Sequence, residues 1–480
     1  MNVTLPGPLD TLNPLLSRSA TVRAMAGLVF AGLLGAAPDG RPIPSLATSW
    51  SSADDLTWTF HLDPSRRWQD GGAVTSQDVA FTLTLVQALD SPVDPSLHAA
   101  WQGIEVHTPD SSTVLLTVPA TLGAGVLDLA TISILPAHLL ASTPLAALRM
   151  APFSSHPIGD GPYRVASADS LGATLLSDQP GSLAPRRLNI LSGGGSRTEP
   201  TSLPVATGSV TLEPNTAGPP DGADSVVTLA RPVFVFLNTR DATLGDARVR
   251  QALSLAIDRQ SLVAGPVHST GVALRGPLLP GMWAADAAAV APPNSVAAAS
   301  QALDAAGWLS NGHGERLRAG AALTVTLLVD NDPTRLAVAQ AVAMRWQAIG
   351  VTANVEVVGL DGMFRDFLAP GHYQAALIGL RQRGALPDLT DLWHSGGALN
   401  ISAWTDPLAD AALDATRDAD AATRQIGYTR FARRFVDEMP AIPLYLPTVP
   451  FAVRGLRLPM TTVNDPADVL TSAESWRPVP

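Results

Sequence analysis

Side chains suited to binding chemistry gather late in the chain, in Gly379-Leu-Arg-Gln-Arg-Gly-Ala-Leu-Pro-Asp-Leu-Thr-Asp-Leu-Trp393 and the residues just after it. Arg381 and Arg383 carry planar guanidinium forks that can clamp a carboxylate or phosphate through two parallel hydrogen bonds; on a surface loop the same pair would be solvated charge. Asp388 adds a carboxylate, and Asn400 a neutral polar group. Ten tryptophans against four tyrosines is an unusual ratio. Trp283, Trp393 and Trp404 are either platforms for sugars and apolar side chains or ordinary core rings. Nine histidines are scattered without a His-Glu-x-x-His pair, so no metal site is expected, and His394 after Trp393 reads as a polar loop residue. No Gly-x-Ser-x-Gly elbow supports hydrolase chemistry. All 31 basic residues are arginine, which excludes a Walker A lysine and a Schiff-base lysine, and the absence of cysteine removes disulfides and thiolate sites.

These groups need a scaffold, and its plainest part lies far upstream. Leu56, Trp58, Phe60 and Leu62 alternate with Thr57, Thr59 and His61, the period-two pattern of a strand with one buried face. Asp54-Asp55 marks the turn before it. Asp70-Gly71-Gly72 supplies a second turn, and Thr75 with Asp78 three residues on reads as a capping box opening a helix with Val79, Leu83 and Val86 on its apolar stripe. The segment Ala24–Ala37, after Arg18 and Arg23, imitates the apolar core of a signal peptide, but Val22, Met25, Ala26, Val29, Phe30 and Leu33 recur at helical spacing and predict an amphipathic helix. A chain of 480 residues exceeds one core, and about 150 residues per domain suggests roughly three. A net charge of -11 disfavours nucleic acid and anionic membranes as partners.

The order of these features, from Pro44-x-Leu-Ala-x-Ser-Trp50 through Asp54-x-x-Thr-Trp-x-Phe-x-Leu62, the Asp-Gly turn and the Thr75 helix start, resembles the family 5 extracytoplasmic solute-binding proteins of peptide and nickel type ABC importers. Three further elements resemble the same family in the expected order. His156-Pro-Ile-Gly-Asp-Gly-Pro-Tyr163 is similar to its Pro-x-Gly-Thr-Gly-Pro-Tyr loop, with Asp160 in place of threonine. Asn238-Thr239 is followed by Asp246-Ala-Arg-Val-Arg-Gln-Ala-Leu253 and Ala256-Ile-Asp-Arg259. Met439-Pro-Ala-Ile-Pro-Leu-Tyr445 resembles its returning strand. Between them, Val233–Asn238 reads as a fully buried strand, Asp246 as a helix cap, and residues 323 to 380 as strand, helix, strand, helix, strand, which predicts a mostly parallel sheet. The Gly193-Gly-Gly-Ser196 run reads as surface loop.

The resemblance implies an α/β, bilobed periplasmic-binding-protein-like fold (type II, cluster C) of three domains with a hinge between two lobes. Domain I would join residues 1–36, 150–238 and 448–480, domain II would be residues 37–149, and domain III residues 239–447, with crossings near Asn238 and near Tyr445 to Thr448. It further implies a monomeric, non-enzymatic, extracytoplasmic receptor without a cofactor, its export signal lying before Met1. Such a receptor would capture a peptide-like solute in an interlobe cleft and deliver it to ABC permease subunits. In peptide-binding relatives an aspartate after the strand ending near Gly379 pairs with the ligand's ammonium group; Gly384 stands there, so Asp388 or Asp391 would have to substitute. The departure leaves open an oligosaccharide or anionic solute held by Arg381, Arg383 and the tryptophans, or a ligand sensor on the same fold.

Overall fold

Successive side chains of Val233-Phe-Val-Phe-Leu237 enter two different cores, because a strand sends neighbours to opposite faces. Val233, Val235 and Leu237 join Val325, Leu327, Ala375 and Leu377 on one face; Phe234 and Phe236 join Leu328, Ala376 and Ile378 on the other. Both faces are covered by helices, which is why the strand is apolar throughout and wholly buried. In the computed structural model, residues 1–5, 8–177, 185–192, 209–212, 225–286, 289–381, 389–454, 456–457 and 462–478 are described. The predicted loop at Gly193–Ser196 lies outside them.

The chain divides into two compact units, one of Met1–Val227 and Val449–Pro480, the other of Thr228–Arg383 and Pro387–Thr448. In the second unit the strands run in the order Thr352–Val357, Thr324–Val329, Ala375–Gly379, Val233–Leu237 and then the strand that begins at Ala441. The first three are mutually parallel, as the strand-helix rhythm predicts, whereas Val233–Leu237 is antiparallel to both its neighbours. The sheet is therefore mixed. Ladder bonds on both sides hold Val233–Leu237, and with it Asn238, inside the second unit, so the first division falls at Val227/Thr228, ahead of Asn238. The second falls at Thr448/Val449.

Local chemistry sets the helix limits. Asp246, Asp332 and Asp420 each accept a backbone N–H of the first turn, opening helices Ala247–Leu255, Pro333–Gln347 and Ala421–Glu438. Gly350, at φ +86°, turns the chain after the second of these, a conformation that an L side chain resists. Leu253, Trp346 and Val342 pack one face of the sheet, while Tyr428, Phe431 and Phe435 pack the other.

In the first unit the strand Thr57–Leu62 buries Trp58, Phe60 and Leu62 against Leu116 and Val114 of the facing strand Thr113–Thr117. Leu56 is 37% exposed because it precedes the strand, its carbonyl accepting the N–H of Val118. The four-stranded antiparallel sheet is completed by Ala47–Ser52 and Glu105–Asp110. Thr75 and Asp78 form the capping box of helix Ser76–Gln87, and the other oxygen of Asp78 accepts the N–H of Ala137 at 2.8 Å. A second sheet joins Asn2–Leu5, parallel to Arg187–Ser192 and Ser209–Leu212, to an antiparallel meander of Arg187–Ser192, Gly172–Leu176 and Arg164–Asp169. The apolar run that imitates a signal core forms helix Ala20–Val29, after which Phe30 is extended. Seven of its ten residues are buried, Val22, Met25, Ala26 and Val29 among them, while Arg23 and Gly27 are exposed one turn apart, so it is the expected amphipathic helix, with a wide apolar face turned to the core. Among the described residues no helix is long and apolar enough to cross a membrane.

Candidate functional site

The strand Ala375–Gly379 ends immediately before the segment that carries most of the candidate side chains. Arg381 follows it on the surface, and Arg383, Gly384 and Asp388 lie outside the described residues. The chain returns at Leu389 and forms a single helical turn, Thr390–Trp393, with Asp391 exposed. Trp393 is 1% exposed. Its ring stacks on Phe236 at 5.5 Å and 15° and meets Phe435 edge-on at 4.8 Å and 83°. Trp404 is also buried and sits edge-on to Phe435 at 6.4 Å. Protein rings thus occupy the positions a stacking solute would need, and both tryptophans act here as core.

Asn400 serves the same loop from within. Its Nδ2 donates to the carbonyls of Trp404 at 2.7 Å and His394 at 3.2 Å, and its Oδ1 accepts the N–H of Trp404 at 3.1 Å. Trp283 is half-buried against this cluster, edge-on to Tyr428 at 6.3 Å, with its indole N–H buried and unpaired. The structure therefore brings Trp283, Trp393 and Trp404 to one apolar cluster, with Asn400 bracing its loop, and leaves Arg381 on the surface. His394 Nδ1 accepts the N–H of Gly396 at 3.0 Å, and its Nε2 lies 3.7 Å from Asp414. Among the described residues no group of three or more His, Asp or Glu side chains is placed to hold a metal ion.

The Gly159-Asp160-Gly161 loop has a structural task. A Cβ on Gly159 would lie 1.8 Å from the carbonyl oxygen of Val29, and one on Gly161 would lie 2.6 Å from that of Leu28. The loop crosses the end of helix Ala20–Val29 so closely that only glycine fits. Its amides are already engaged, Gly159 donating to Oε1 of Gln69 and Gly161 to Val29, which leaves them unable to cradle a phosphate. Asp160, which stands where the resembling family has threonine, is 7% exposed and accepts the N–H of Ala31 at 2.9 Å; its second oxygen lies 3.6 Å from Arg66 and has no hydrogen bond. Burial pushes its carboxyl up to about 6, against the lowering influence of the Ala31 bond and of Arg66.

An open depression of about 570 Å³ lies in the second unit at the opposite end of Ala375–Gly379 from Arg381. Its floor is held by side chains that sequence reading treated only as motif. Asn238 donates from its backbone to the carbonyl of Gln374 and from Nδ2 to those of Tyr373 and Gly371, while its Oδ1 accepts the N–H of Arg240. Gln374 in turn accepts the N–H of Thr326 and reaches Asp241 at 3.4 Å. Arg240, Glu356 and His372 are exposed at the rim, and Leu328 and Phe367 supply apolar wall. The sequence signal was available: a polar Asn238-Thr-Arg-Asp241 run directly follows an unbroken apolar strand.

The model for the family described as bacterial extracellular solute-binding proteins, family 5, middle, matches residues 41–176 and 209–397. The chain is 24% identical over 353 residues to a probable D,D-dipeptide-binding periplasmic protein of Escherichia coli, a match that takes in 69% of this chain and 64% of that protein, slightly less than two thirds of its length. It is 26% identical over 452 residues to protein XP55 of Streptomyces lividans, covering 89% of this chain and 80% of the other. Among solved structures, the unliganded open form of the periplasmic murein tripeptide binding protein MppA superposes with a TM-score of 0.81 at 18% identity, over 100% of this chain and 97% of that one.

Proposed function

Because the chain belongs to family 5 of the bacterial extracellular solute-binding proteins and has their α/β periplasmic-binding-protein-like fold, we propose that it is the extracytoplasmic substrate-binding component of an ABC importer. It takes a peptide-like small solute into the cleft between its lobes and hands it to permease subunits, acting by binding rather than turnover. The observation that carries this reading is the family match across both compact units. The relatives' names support a peptide-like solute, since one is a probable D,D-dipeptide-binding protein and another binds a murein tripeptide. Within the first unit, residues 37–149 form an inserted domain, a division supported by the four-stranded sheet of Ala47–Ser52, Thr57–Leu62, Glu105–Asp110 and Thr113–Thr117. The receptor works as a monomer.

Native mass spectrometry of the purified protein identifies a co-purified solute, and small-angle scattering with and without that solute then tests the mechanism. Closure on a ligand that contacts both lobes shortens the radius of gyration. A saturating ligand that leaves the scattering curve unchanged removes the closure mechanism.

A second reading keeps the fold and changes the cargo to an anionic solute. It is favoured by Gly384 at the position of the relatives' ammonium-binding carboxylate and by Arg381 and Arg383 around it. Retained binding of a peptide with a blocked amino terminus supports it.

A further inference from the structure

We propose that the depression beside Asn238 is a binding site for a free α-amino acid, separate from the solute site expected at the Gly379–Trp393 end of the sheet. Three observations carry it. The first is place and size. The cavity of about 570 Å³ sits at the Gln374 end of the strand Ala375–Gly379, while Arg381 follows the other end. At about 3.3 Å per residue the two lie roughly 20 Å apart. Small-molecule sites occupy roughly 300–1,000 Å³.

The second is a floor already organised before any ligand arrives. Asn238 bonds to Tyr373, Gly371 and Gln374, and Gln374 bonds to Thr326 across the sheet. Asp241 spends one oxygen on the N–H groups of Thr243 and Leu244 and turns the other towards Gln374. These bonds keep the turn at 371–374 and the start of the 239–242 segment in one geometry, so little ordering remains to be done on binding.

The third is the charge arrangement on the rim. Arg240 and Glu356 are both exposed, and neither side chain pairs with another among the described residues. A cation and an anion held on one rim without satisfying each other fit a ligand that carries both signs. The guanidinium of Arg240 takes the carboxylate in two parallel hydrogen bonds, Glu356 takes the ammonium, and Leu328 and Phe367 meet an apolar side chain. A ligand of one sign would leave either Arg240 or Glu356 facing a like charge.

Isothermal titration of the full chain with L-leucine, L-phenylalanine and L-methionine tests this, with N-acetyl-L-leucine and L-leucinamide as charge-blocked controls. Saturable binding is expected for at least one of the three amino acids, weakened tenfold or more by blocking either end. Arg240→Gln and Glu356→Gln should each weaken it tenfold or more with unchanged melting temperature, as both side chains are exposed, whereas Arg381→Ala should leave it within twofold. Absence of saturable binding for all three amino acids overturns the proposal. So does equal binding by Arg240→Gln, or loss of binding in Arg381→Ala, which would place the amino acid at the other end of the sheet.

Discussion

Replacing Asp160 with asparagine isolates the cost of sealing one carboxyl against the end of helix Ala20–Val29. Asparagine keeps the shape and the oxygen that accepts the N–H of Ala31, and it stays neutral at every pH. In the folded wild type the carboxyl is pushed up to about 6 by burial, from an ordinary value of 3.8 that the unfolded chain retains. A raised folded value means that the native state holds the proton more tightly. The stabilisation is therefore complete below 3.8 and is lost as pH rises through about 6. Over the whole range the difference amounts to about 3 kcal/mol, at 1.36 kcal/mol per pH unit. At pH 5 the folded carboxyl is protonated about ten to one while the unfolded one is mostly ionised, which gives wild type about 1.4 kcal/mol that is absent at pH 8. Urea unfolding of wild type and Asp160→Asn at both pH values reads this as a double difference, in which the histidines common to both proteins cancel. Wild type should gain about 1.4 kcal/mol relative to the variant on going from pH 8 to pH 5. A flat double difference, or one of opposite sign, would refute the reasoning and show that Arg66 at 3.6 Å outweighs desolvation.

Trp393→Ala should cost roughly 3–5 kcal/mol of stability, because it empties a site closed by Phe234, Phe236 and Phe435; calorimetry should show a lowered transition, and an unchanged one would return Trp393 to the list of binding residues. Gly159→Ala should cost on the order of 3 kcal/mol or abolish soluble expression, since the added carbon meets the Val29 carbonyl at 1.8 Å and backbone must move; an unaltered melting temperature would contradict the close approach. Arg381→Ala should weaken an anionic solute tenfold or more in direct titration if that arginine clamps it, and unaltered affinity would remove it from the site.

What the sequence made legible was what neighbouring residues decide among themselves. The cap at Asp246, the Thr75–Asp78 box and the alternation through Trp58 and Phe60 each depend on a few adjacent positions, and each forms as read. Leu56 was one residue too early because a strand's limit is set by its partner, here the turn that begins at Asp54 and the bond to Val118. The direction of Val233–Leu237 could not be read from its own apolar run, since parallel and antiparallel buried strands carry the same composition. Trp393 and Trp404 could be read either as platforms or as core rings because tryptophan chemistry is the same in a core and in a cleft; it is Phe236 and Phe435, distant in sequence, that bury them. The rim formed by Arg240 and Glu356 was hidden for the same reason, being assembled across the sheet from segments with no shared local pattern.

The strand Val233–Leu237 feeds one apolar cluster with its odd-numbered side chains and another with its even-numbered ones. Swapping one apolar residue for another there disturbs a single contact set, but inserting or deleting one residue would exchange the contents of both clusters at a stroke. Apolar exchange at these five residues is therefore a local repacking problem, whereas a change in their number is a global one, so the fold tolerates length change in the connections between elements rather than in this strand.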